Sequence, residues 1–99
     1  MGKCIVLVSK SGYSDAHLSV LRQMLEKKID LFCAVGEECN KWEDAIDWLA
    51  VELDVNGELP GAYCTTSAHP NETVEEVVEF AKEWNRLKGL EPDVDVIEI

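Results

Sequence analysis

Two short stretches of this chain carry side chains that could do chemistry. Ser9-Lys10-Ser11-Gly12-Tyr13-Ser14 sets three hydroxyls around a glycine, between an apolar run and a helical pattern. Hydroxyls and backbone N–H groups at a helix N-terminus can hold a phosphate. Further along, Thr66, Ser67 and His69 bring two more hydroxyls and an imidazole into one polar segment. The candidate ligand-binding residues are therefore Ser9, Ser11, Gly12, Ser14, Thr66, Ser67 and His69. A serine or cysteine nucleophile also needs a base within hydrogen-bond reach, and the sequence pairs none convincingly, so no catalytic residue is assigned.

The four cysteines, Cys4, Cys33, Cys39 and Cys64, form no Cys-x-x-Cys pair. Three sit in apolar, strand-like runs, which suits free buried thiols in a reducing compartment better than a disulfide framework. That spacing, with only two histidines, His17 and His69, disfavours zinc. Cys39 precedes the expected cap of the second helix, a position that lowers a thiol pKa, although Glu37 and Glu38 oppose a thiolate there. It is the cysteine expected to react first.

Charge gives a second lead. The net charge is −11, and residues 29–99 hold eighteen acidic side chains against four basic ones. Such a surface repels nucleic acid and anionic membranes, whose binding needs cations at the phosphates. It suits a basic protein partner. On the second helix Trp48 lies about 120° from the centre of the apolar stripe, among Asp44, Asp47, Val51 and Glu52. An aromatic there is either covered by a loop or stands in solvent as an interface anchor.

The elements that must position these residues alternate. Cys4 to Val8 and Ile29 to Val35 are continuous apolar runs, the pattern of strands buried on both faces. Leu18, Leu21 and Leu25 mark a helix capped by Ser14 or Asp15. Asn40-x-x-Glu43 starts a second, with Trp42, Ala45, Ile46, Leu49 and Leu53 on one arc, and Asn56-Gly57 ends it. Ala62 to Thr66 reads as the third strand and Ser67 to Glu72 as a loop. Thr73-x-x-Glu76 caps a third helix with Val74, Val77, Val78, Ala81 and Trp84 as its stripe, stopped at Gly89. Pro92 precedes a last strand, Val94 to Ile99, whose interleaved Asp95 and Glu98 suit an edge.

The expectation is one α/β domain over residues 1–99: a three-layer αβα sandwich, β-α-β-α-β-α-β, with a mostly parallel four-stranded sheet. The order 2-1-3-4 puts the first strand centrally and its switch point between the loops after strands one and three. No apolar run reaches the ~18–20 residues of a membrane span. Met1-Gly2-Lys3 leads into the first strand without a cleavage pattern, so a cytoplasmic protein is expected.

The loop Ser9-Lys10-Ser11-Gly12-Tyr13-Ser14 resembles the phosphate loop of the flavodoxins, which implies a flavodoxin-like domain with a flavin or another phosphate-bearing ligand at these residues. In size and strand–helix order the chain is also similar to the IIB-type sugar-phosphotransferase domains. Those carry a phosphorylated cysteine just after the first strand, where this chain has Ser9.

The residues favour an acidic protein-interaction domain of adaptor or inhibitor type, without cofactor, whose partner is a basic protein or a second copy. The alternative is a binder or enzyme for a small phosphate-containing ligand at the loops beyond the carboxyl ends of the strands.

Overall fold

The computed structural model describes residues 3–61, 63–89 and 93–99. β1 (Lys3–Ser9) and β2 (Leu31–Gly36) are the two most apolar runs, and they form the two interior strands of a four-stranded sheet. β3 (Thr65–His69) and β4 (Asp93–Glu98) are its edges, in the order β3-β2-β1-β4. All pairings are parallel, with Val6 opposite Cys33 and Val96, and Cys33 opposite Ser67.

A short 3-10 turn, Asp15–His17, leads into α1 (Leu18–Glu26), which packs beside α2 (Cys39–Val55) on one face of the sheet. α3 (Val74–Leu87) covers the other face. The fold is thus the expected three-layer αβα sandwich. The core under α1 and α2 holds Trp42, Phe32, Ile5, Leu7, Leu21 and Ile46; under α3 it holds Val6, Cys4, Cys33, Leu31, Val77 and Ala81. The Thr73–Glu76 capping box forms as the sequence requires: Thr73 Oγ1 accepts from Glu76 N–H and Thr73 N–H donates to the Glu76 carboxylate.

Several expectations are corrected. The strand order is 3-2-1-4, because an apolar β2 belongs inside the sheet and the polar Thr-Thr-Ser-Ala-His of β3 belongs at an edge. Ser67 and His69 lie in β3, not in a loop after it, and Cys64 precedes the strand. α2 starts at Cys39 with Glu38 as its N-cap residue, so Asn40 is inside the helix and not its cap. On α1 the buried stripe is Leu21, Met24 and Leu25, while Leu18 is exposed. Ala62, the expected start of the third strand, and Pro92, expected just before the last, lie outside the described residues. β4 is a parallel edge strand, as its interleaved charges suggest.

Candidate functional site

The structure separates the two groups of candidate ligand residues. The turn after β1 and the strand β3 have β2 between them, so Ser9 to Ser14 do not meet Thr66, Ser67 and His69. In the order 3-2-1-4 the point where direction reverses falls between β1 and β4, and β3 is at the far edge.

Within the first group, Ser9 is buried and its Oγ accepts from Trp42 Nε1–H at 2.9 Å. That bond ties β1 to the core helix and leaves the hydroxyl facing protein. Gly12 has φ +81°, and a Cβ there would collide with the Glu38 carboxylate. Tyr13 N–H donates to the same carboxylate at 3.0 Å. Glu38 reaches this turn from a left-handed backbone (φ 53°), and its carboxyl is held below the usual range by Lys41 and then by the Tyr13 N–H. The turn that would cradle a phosphate thus holds the chain's own carboxylate. Ser11 and Ser14 are exposed.

The second group is partly assembled. Alternate residues of β3 face opposite sides. Ala68 packs toward α1 and α2, and Thr66 Oγ1 donates to the Asp47 carboxylate of α2 at 3.0 Å. On the α3 side, Ser67 Oγ lies 2.7 Å from His69 Nε2, and His69 Nδ1 lies 3.3 Å from a Glu72 carboxylate oxygen. His69 is only 7% exposed and meets the Phe80 ring edge-on at 4.8 Å. Ser67 Oγ also lies 3.4 Å from Cys33 Sγ, a thiol that burial pushes up to about 11.

The third region is the outer face of α2. Trp48 is 74% exposed, and Val51 (41%) and Val55 (75%) follow it at spacings of three and four. These three form a second apolar stripe, roughly 180° around the helix from the buried Cys39, Trp42, Ile46, Ala50 and Leu53. One flank of Trp48 is a groove of about 450 Å³ lined by Tyr13, Leu18, Ala45 and Leu49, with Asp15, Asp44 and Glu52 around it. On the other flank Asp47 and Val51 form a smaller hollow. Lys41 also lines the groove, but its ammonium is paired with Glu38. All five predicted interface residues, Asp44, Asp47, Trp48, Val51 and Glu52, therefore stand together in solvent.

A family model described as "Domain of unknown function (DUF7684)" matches residues 1–97. The chain belongs to this family. No curated protein and no solved structure matches it.

In this DUF7684 domain the cysteines are all free. Cys39 is buried at the first turn of α2, which corrects its expected accessibility; Cys64, half-buried beside β3, is the most open of the four. Burial pushes the Cys64 thiol up to about 12, so it is not a ready thiolate. Among the described residues no group of three or more His, Cys, Asp or Glu side chains gathers to hold a metal ion, and no helix is long and apolar enough to cross a membrane. Sequence reasoning missed Leu18 and Tyr13 as neighbours of Trp48, Val55 as the far end of its stripe, and Glu72 as the partner of His69. Val55 could have been found from its spacing to Trp48 and Val51. Tyr13, Leu18 and Glu72 depend on turns that no local pattern specifies.

Proposed function

We propose that this protein is an acidic interaction domain that docks a cationic, amphipathic polypeptide segment on the outer face of α2. The observation that supports the reading is the outward stripe Trp48–Val51–Val55, an apolar line on a helix already buried along its opposite side. Isolated exposed apolar residues are ordinary, but a ridge centred on an indole and flanked by grooves has the make-up of a binding anchor. Asp15, Asp44, Asp47 and Glu52 supply carboxylates around it, and the nearby lysine is already neutralised. Apolar contacts would hold the segment while its Lys or Arg side chains meet the carboxylate rim. The β1 turn is the weaker place for a ligand, because Glu38 fills it.

The test uses two synthetic helical peptides, one of Leu and Lys at amphipathic spacing and one of Leu and Glu. The Leu/Lys peptide should bind with a change in tryptophan fluorescence and weaken as salt is raised, and the Leu/Glu peptide, titrated on its own, should not bind. Trp48→Ala should reduce that affinity by on the order of 2 kcal/mol while leaving the circular dichroism spectrum intact. Equal binding of both peptides, or unchanged binding by Trp48→Ala, would discard the docking surface.

A further inference from the structure

On the opposite face of the sheet, we infer that Ser67, His69 and Glu72 form a nucleophile, its base and a positioning carboxylate, able to transfer the acyl group of small neutral esters. This site is independent of the α2 ridge. Its parts come from local geometry. Successive odd positions of β3 point to the α3 side, so Ser67 and His69 are neighbours on one face. The turn at Pro70-Asn71, with Asn71 in the left-handed region (φ 67°), then folds Glu72 back to the ring. Asn tolerates that conformation better than most residues.

The hydrogen-bond roles follow from what each group can donate. A carboxylate only accepts, so the Glu72 contact at 3.3 Å places a proton on His69 Nδ1. The neutral ring then presents an unprotonated Nε2 to the Ser67 hydroxyl at 2.7 Å. That is the tautomer a general base needs, with Phe80 packed against the ring and burial limiting its rotation. Glu72 from the turn is the carboxylate in contact with the imidazole, Glu43 on α2 acts on it only through its charge, and the Cys33 thiol lies beyond Ser67.

β3 is an edge strand, and Thr65 N–H donates inward to Asp30 C=O at 3.0 Å. By alternation the N–H of Ala68 points outward from the open edge. A donor from the residue after the nucleophile is placed to meet a developing oxyanion. The step is balanced as follows. Ser67 Oγ bonds to the ester carbonyl carbon and its proton passes to His69 Nε2. The alcohol leaves with that proton, giving acyl-Ser67. Water then attacks the acyl carbon, returns a proton through His69 and releases the carboxylic acid. The acidic surroundings disfavour anionic substrates.

The experiment combines a fluorophosphonate probe, read by intact mass and peptide mapping, with p-nitrophenyl acetate turnover. The wild-type protein should gain a single phosphonyl adduct, on Ser67, and release p-nitrophenolate. Ser67→Ala should lose both, and His69→Gln should slow both by on the order of 10²–10⁴-fold. Cys33→Ala should keep the adduct, which separates serine from thiol chemistry. Glu72→Ala, an exposed change, should leave the circular dichroism spectrum intact and slow labelling, because nothing then holds the proton on His69 Nδ1. Glu72→Gln, whose amide oxygen still accepts a hydrogen bond, should recover part of the rate, whereas a purely structural role for Glu72 would leave labelling unchanged in both variants. No adduct on folded wild-type protein, an adduct elsewhere, or Ser67→Ala labelling at the wild-type rate would overturn the assignment.

Discussion

The two faces of the sheet are each covered by helix, but they are filled differently. Under α1 and α2 the layer holds Trp42, Phe32, Leu7, Leu21 and Ile46, and the buried hydroxyl of Ser9 that it meets is spent on Trp42. Under α3 the side chains are smaller, mostly Val, Cys and Ala, and buried Asn85 accepts from the Cys4 thiol at 3.2 Å. Asn85 Nδ2 has no partner among the described residues. The difference has a simple cause. Four strands about 4.8 Å apart make a surface wider than the ~10 Å diameter of one helix, so α3 alone cannot cover it. α3 lies over β1, β2 and β4. Polar Ser67 is left half-open at one edge and Val96 is 48% exposed at the other. The two-helix face buries its large residues and puts its candidate function outside the helices. The one-helix face carries polar chemistry within the sheet layer itself.

The comparison is broken most directly at α2. Trp42→Ala should cost ~3–5 kcal/mol of stability, since the side chain is fully buried and its removal leaves a cavity against β1. Trp48→Ala should change stability by no more than about 0.5 kcal/mol, as expected of a surface site. Paired thermal and denaturant melts decide it. Equal losses for the two variants would mean that Trp48 belongs to the core and the outer stripe does not exist.

A smaller effect is expected at Ser9. Ser9→Ala keeps the shape of the strand but leaves Trp42 Nε1–H buried without an acceptor, which should cost ~1–3 kcal/mol. Were Ser9 a ligand residue instead, the variant would melt like wild type. The same result would show that this face is less tightly filled than its side chains imply.

Much of the fold was legible because it rests on periodicity. The apolar runs of β1 and β2, the Trp42–Leu53 arc and the Thr73–Glu76 box are local patterns, and each forms. Strand order is less legible, because β1 and β2 are both apolar on both faces and no local pattern says which strands lie beside them. Composition places both inside. Trp48 was legible as an off-stripe aromatic, but whether it met solvent depended on packing between α1 and α2. The separation of the Ser9 loop from His69 followed from strand order alone. Glu38 could not have been foreseen: nothing in Gly36-Glu37-Glu38-Cys39 says that a left-handed residue will send its carboxylate across to Gly12. The Ser67–His69 spacing carried the signal for a shared face, but only once that segment is a strand.

The smallest expected effect lies where the two faces meet, at Glu43 near the start of α2. Burial raises its carboxyl pKa, and the charges of Asp47 and Asp44 raise it further, while Thr66 and His69 oppose them. A carboxyl with a raised folded-state value binds its proton more tightly in the native protein than in the unfolded chain. Its contribution to stability is therefore present at low pH and is lost as pH rises through the folded-state value. At neutral pH the charged form is a net cost. Glu43→Gln removes that cost, so the variant should melt above wild type at pH 7, and the gap should close as pH falls below the ordinary carboxylate range. Melting curves from pH 3 to pH 8 (roughly the span in which carboxyls and histidine titrate) would measure this. A variant less stable than wild type at pH 7 would show that the Thr66 and His69 interactions outweigh burial. Glu43 would then belong with the polar network of β3 rather than with the crowded acidic surface of α2.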